Sequence, residues 1–142
     1  MANKKIFKHK NISLVIQSCL INKKYPEFKC KIKKNQLIWQ GKIKPTPLSR
    51  EYNIKIICKE NTRPQVILYG NKIEGIDKKD FPHHFKIDTD KQEVYLCLHL
   101  PKEFNYSYLI CDTIIPWTQE WLYFYEIWLS TGEWRGGGHI PK

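Results

Sequence analysis

No apolar run in this chain approaches the roughly 18 residues that cross a bilayer, so the sequence predicts no transmembrane segment. A signal peptide is not predicted either: Met1 to Lys10 is basic, but Ile12 to Ile21 is interrupted by Ser13, Gln17 and Ser18, with no small-residue cleavage site behind it. A cytosolic protein with no membrane partner is the expectation. Arginine is scarce. Of 24 basic residues only Arg50, Arg63 and Arg135 are arginine and the other 21 are lysine, which weakens nucleic-acid or phosphate recognition, where bidentate Arg is favoured. Cys-x-x-Cys pairs are absent, and the five widely spaced cysteines, Cys19, Cys30, Cys58, Cys97 and Cys111, are expected to be free thiols in a reducing compartment. A zinc site needs closely spaced ligands, and the nearest approach is Cys97-Leu98-His99 with His83 and His84 upstream, so no metal is expected. Glycine-rich nucleotide-binding loops are missing too.

What is present suits one globular domain. At 142 residues the chain buries roughly two thirds of its unfolded surface without help from disulfides or metal. Its 42% hydrophobic and 13% aromatic content predicts a large aromatic core. The net charge of +10 is uneven: residues 1–50 hold 13 basic and 1 acidic residue, whereas residues 51–142 hold 11 and 13. This asymmetry fits either a docking face for an anionic partner or simply a lysine-rich solvated surface. Nucleic-acid binding would rest on charge alone and is not favoured.

Along the chain, residues 1–10 are Lys-rich and expected to fray. From Asn11, a candidate N-cap, to Asn22 the spacing of Ile12, Val15, Ile16, Cys19 and Leu20 predicts a helix with Cys19 on its buried stripe. Phe28, Cys30 and Ile32 alternate with lysines as a half-buried strand, Lys34-Asn35 turns, and Leu37, Trp39 and Ile43 continue inward past a possible bulge at Gly41. Tyr52, Ile54, Ile56 and Cys58 alternate again, and Gln65 to Tyr69 completes a four-stranded antiparallel meander. Cys30 and Cys58 are therefore core thiols. Gly70 to Asp80 reads as loop and Lys102 to Asp112 as irregular. Pro116 to Ser130 carries Trp117, Trp121, Phe124, Tyr125 and Trp128 at helical spacing, with Gly132 as a stop. The fold class is α+β, with the helices on one side of the sheet.

The stretch Phe81 to Pro101, FPHHFKIDTDKQEVYLCLHLP, sets a cysteine and three histidines into a strand pattern. In VYLCLHL, Val94, Leu96, Leu98 and Leu100 share one face, while Tyr95, Cys97 and His99 share the other. Cys97 is thus predicted to point away from the apolar side, as a candidate nucleophile. His83, His84 and His99 all qualify by type as its helper, and each also has a plainer reading: loop bracing for His83 and His84, a surface position for His99.

The order of elements, the histidine motif with a Cys-Leu behind it, and the Trp-led helix resemble the ubiquitin-conjugating (E2) fold. More narrowly, WQGKIKPTPLSREYNIKI, LCLHLP and IIPWTQEWLYFYEIWLSTGEWRGGGH resemble the stand-alone E2-like proteins of bacterial CBASS antiphage operons, over about Tyr25 to Pro141. The resemblance implies a single E2-like domain with a C-terminal tail from residue 133, and an acyl transferase that needs no cofactor. It implies that Cys97 takes an acyl group as a thioester and passes it to an amine, with His83 in the histidine-motif position and His84 its adjacent alternative. The implied partner is a bacterial cGAS-like nucleotidyltransferase (CD-NTase), whose C-terminus would be joined to a target, with any adenylation performed by another protein. Where ubiquitin E2 enzymes carry His-Pro-Asn, this chain reads Pro82-His83-His84-Phe85, so the oxyanion donor would be Asn105 or a backbone N–H. Gly136-Gly137-Gly138-His139 is followed by Ile140-Pro141-Lys142 and reads as a cap after the last helix, held down by Trp134. A second reading is an inert E2-fold module that docks the nucleotidyltransferase through its Lys-rich sheet face and first helix.

Overall fold

A computed structural model describes residues 10–137; residues 1–9 of the Lys-rich start and residues 138–142 of the tail lie outside the described residues. Helix α1 (Leu14–Lys24) starts at Ser13, whose Oγ accepts from the Ile16 N–H at 3.2 Å, so Ser13 and not Asn11 is the N-cap. Its buried face is Leu14, Gln17, Ser18 and Ile21. The expected stripe is rotated away from this face: Val15 and Ile16 are 62% and 53% exposed, and Cys19, expected in the core, is exposed. Polar partners decide the matter. Gln17 donates from Nε2 to the Tyr108 carbonyl at 2.8 Å and accepts from the Ile110 N–H at 2.9 Å, tying the helix to a segment more than ninety residues away.

Strands β1 (Cys30–Lys33), β2 (Gln36–Ile43), β3 (Tyr52–Lys59) and β4 (Gln65–Tyr69) form the expected meander. Lys34 and Asn35 turn the first hairpin with φ of 52° and 63°, the left-handed pair that a two-residue hairpin turn requires. Leu37, Trp39 and Ile43 face the core with Tyr52, Ile54, Ile56, Cys58, Val66 and Leu68, while Ile32, expected inward, is exposed. Gly41 marks no bulge, because it sits in unbroken register opposite Ile54. A Cβ there would run into the Trp39 ring, so glycine makes room for the indole that lies along the strand from two residues back.

The sheet has six strands rather than four. β5 (His84–Asp88) and β6 (Glu93–Leu96) form a hairpin whose second strand pairs with β4, giving the antiparallel order β1-β2-β3-β4-β6-β5. β5 escaped the pattern reading because none of its five residues is fully buried; backbone pairing to β6 holds it at the sheet edge. After two 3-10 turns (Pro101–Glu103 and Ile110–Asp112) comes α2 (Ile114–Thr131), with Pro116 in its first turn. It stops at Gly132, whose φ is 79° and whose N–H donates to the Trp128 carbonyl. Trp121, Leu122, Tyr125 and Trp128 bury their rings and chains in the same core cluster as Leu14 and Ile21 of α1 and the inner face of the sheet.

Candidate functional site

The β5–β6 hairpin carries the candidate cysteine. Its register slips between His84 and Lys86, a bulge at Phe85, and His84 then pairs with Leu96. Pairing runs one step beyond β6: the Cys97 N–H donates to the His83 carbonyl at 3.0 Å. That same carbonyl accepts from Trp121 Nε1 at 3.2 Å, so α2 is fastened to the residue opposite Cys97. His83 has a φ of 26°, outside the usual regions for a non-glycine residue, and the two hydrogen bonds to its carbonyl and its ring contact with Trp134, with centroids 5.0 Å apart, help to hold it there.

Cys97 lines a cleft of about 220 Å³ together with His83, His99, Glu103, Glu120 and the rings of Trp117, Trp121, Phe124 and Trp134. The residue is only 4% exposed, which corrects the outward-facing reading. Regular strand ends at Leu96, so the two-residue alternation no longer governs Cys97, and α2 and the tail lie over it. The tail forms one wall. Trp134 contacts Trp121 and Phe124 at 5.6 and 6.0 Å between centroids and donates from Nε1 to the Gly137 carbonyl at 2.8 Å. Gly136 is pressed against Phe124 so closely that a Cβ would fall 2.8 Å from its ring.

Burial pushes the Cys97 thiol above its ordinary range, against the opposing field of the Arg63 guanidinium and a backbone hydrogen bond from His99; the Glu103 carboxylate adds a smaller upward push. His99, expected at the surface, is 7% exposed. Its ring lies between Phe104 and Trp117, at 5.9 and 5.5 Å, and its Nδ1 sits 2.6 Å from the Leu100 carbonyl. A carbonyl only accepts, so Nδ1 carries the proton and a neutral His99 presents Nε2 as its acceptor. His84 belongs elsewhere: its Nδ1 meets the Phe81 carbonyl at 3.2 Å, and it lines a second cleft with Phe81, Phe85 and Trp128, not the Cys97 cleft.

Of the histidines named from sequence, His83 and His99 thus share the cysteine's cleft and His84 does not. Asn105 also stands apart, in a cleft with Arg63 and Tyr106, where its Oδ1 accepts from Ser107 N–H at 2.8 Å and from the Ser107 hydroxyl. Arg63, one of the three arginines in a lysine-rich chain, stacks over the Phe85 ring at 4.0 Å and does not line the Cys97 cleft. Cys30, Cys58 and Cys111 are buried, the first two in the core as expected. Among the described residues no cluster of three or more His, Cys, Asp or Glu is placed to hold a metal ion, and no helix is long and apolar enough to cross a membrane.

The geometry is that of a cysteine at the end of a hairpin, next to a histidine motif and roofed by an aromatic helix. A search of the curated proteins finds no match. The family model of the type II CBASS E2 protein matches residues 17–141, which include the whole hairpin, α2 and the tail, and on that match this chain belongs to the type II CBASS E2 family.

Proposed function

We propose that the protein is an E2-like conjugating enzyme that carries an acyl group as a thioester on Cys97. The observation that carries this reading is the shared cleft, which brings Cys97 together with His83 and His99 at the end of β6. The Cys97 thiolate attacks the carbonyl carbon of an acyl group on an upstream thioester, the tetrahedral oxyanion collapses, and the donor thiolate leaves. In the second step an amine attacks the new thioester, the amide forms, and Cys97 departs as thiolate and regains a proton. His99, with Nε2 as acceptor, is the better-supported group for taking the proton from the incoming amine, because it lines the cleft and its tautomer is set by Leu100. His83 supports the loop through its carbonyl and its ring contact with Trp134. His84, turned toward Phe81, has no part in the steps.

The acyl group in this reading is the C-terminus of a cGAS-like nucleotidyltransferase (CD-NTase), delivered by an upstream thioester and joined to a target in antiphage defence within the cytoplasm. The family membership supports this partner. The competing reading is an inert module of the same fold that docks the nucleotidyltransferase. The raised thiol of Cys97 favours it to the extent that the resting cysteine is protonated near neutral pH. Intact mass of the protein purified with its nucleotidyltransferase separates the two. A thiol-sensitive adduct retained in Cys19→Ala and lost in Cys97→Ala is the expected result; no adduct with an activated donor overturns the carrier reading.

A further inference from the structure

Residues 133–137 leave the end of α2 and turn back over the cysteine. Trp134 and Gly136 are half-buried, while Glu133, Arg135 and Gly137 around them are exposed, so the segment meets the body through one indole and one glycine. Trp134 rests on His83, Trp121 and Phe124, and Gly136 rests on Phe124. The segment's hydrogen bonds and its ion pair stay local. Trp134 Nε1 donates to the Gly137 carbonyl, the Glu133 N–H donates to the Thr131 hydroxyl, and Arg135 pairs with Glu133. Among the described residues, ring packing is therefore what fastens this segment over the cleft.

What lies beneath gives the packing its interest. Cys97 is 4% exposed, and Trp134, Gly136 and Gly137 line its cleft. His83 and Trp134 also line the neighbouring cleft of about 510 Å³ with Phe81, Phe85 and Trp128, so their ring contact partitions the two. At its start the segment joins α2 through Gly132, where an added Cβ would meet nothing within 4 Å. The backbone can turn there without disturbing side-chain packing.

We propose that residues 133–137 are a built-in cover over Cys97, held shut by Trp134 and hinged at Gly132, which must swing away before an acyl donor reaches the sulfur. Attack on a thioester brings the acyl carbon to bonding distance of Sγ with chain on both sides of it, and the closed segment occupies one of those sides. Moving Trp134 removes the partition at His83 and joins the two clefts into one groove leading to Cys97. A donor opens the cover only by binding the uncovered form more tightly, which the vacated faces of His83, Trp121 and Phe124 allow. The role in acyl transfer rests on Cys97 being the carrier, whereas closure over the sulfur is measurable with no donor.

The test is alkylation of the intact chain by two reagents, iodoacetamide and a bulky biotin-linked maleimide, resolved by peptide mapping. Exposed Cys19 reports the reagent and fully buried Cys58 reports global opening. Trp134→Ala is expected to raise the iodoacetamide rate at Cys97 about tenfold and the maleimide rate by more, with Cys19 and Cys58 unchanged. Trp134→Phe, which keeps a ring against His83 and drops the bond to Gly137, should stay close to the wild type. An unchanged Cys97 rate in Trp134→Ala overturns the proposal. So does a gain that Cys58 shares, which would make Trp134 a stability residue, or an equal gain with both reagents, which would reflect the thiol's reactivity and not access to it. If the expected gains appear and no donor ever forms a thioester, the carrier reading fails while the cover stands.

Discussion

Trp121 on α2 donates its indole N–H to the carbonyl of His83, the same oxygen that accepts from Cys97. One acceptor thus fixes the helix, the histidine turn and the cysteine relative to one another. Trp121→Phe keeps an aromatic ring in the core and removes the indole donor from the carbonyl, which keeps its bond from Cys97. The expected cost is about 1–2 kcal/mol from the lost hydrogen bond and the smaller ring, read as a shift of the urea midpoint. Cys97 alkylation should rise severalfold with Cys19 unchanged. An unaltered Cys97 rate would mean that the helix does not restrain the cysteine.

The tail offers a second test. A methyl on Gly136 would fall 2.8 Å from the Phe124 ring and 2.9 Å from the Trp134 ring, closer than carbon atoms approach without displacement. Gly136→Ala should therefore lift Trp134 from His83 and open one wall of the cleft. Amide exchange at residues 134–137 is expected to accelerate about tenfold, while the exchange of β2 and β3 stays at the global rate. If the tail keeps its protection, the neighbouring rings have yielded instead, and the wall is more compliant than its geometry suggests.

The meander was legible because β2 and β3 alternate strictly and each has one face against the core. β5 was not, since its place depends on backbone bonds to β6 that leave no apolar stripe. The face of α1 was misjudged for a related reason. Hydropathy selects Val15 and Ile16, but the buried stripe contains Gln17 and Ser18, whose polar atoms find partners on distant backbone. Cys97 could be picked out by its position after the histidine motif, whereas its burial depends on Trp121, Phe124 and Trp134, more than twenty residues further along the chain.

Gln17 makes the strongest demand on α1. It is fully buried and satisfies two backbone groups, the Tyr108 carbonyl and the Ile110 N–H. Gln17→Leu keeps the volume and leaves both groups without their partner, at an expected cost of about 2–4 kcal/mol. Ser18→Ala is the control. The Ser18 hydroxyl donates to the Cys30 carbonyl, but Asn22 Nδ2 donates to the same oxygen at 2.9 Å, so no buried acceptor is stranded and the loss should be about 0.5–1 kcal/mol. Equal losses in the two variants would remove the case that Gln17 fixes the helix face.

High pH should loosen the core. Burial pushes the Cys58 thiol from 9.0 up to about 12, and burial together with the hydrogen bond to Glu126 pushes the Tyr52 phenol from 10.0 up to about 12. Both groups stay neutral in the folded protein over a range where the unfolded chain has already lost the proton, so rising pH favours unfolding. Their contribution is complete below about pH 9 and is lost as the pH climbs toward about 12. Urea midpoints should therefore be level near neutrality and fall through the alkaline range. Cys58→Ala removes one of the two titrations and should lower the whole curve by about 1 kcal/mol through the small cavity it leaves, while making the alkaline fall shallower. Tyr106 and Tyr125, whose phenols burial also raises, keep some of the slope in that variant. A fall as steep as the wild type's would assign the alkaline loss to the tyrosines and take Cys58 out of it.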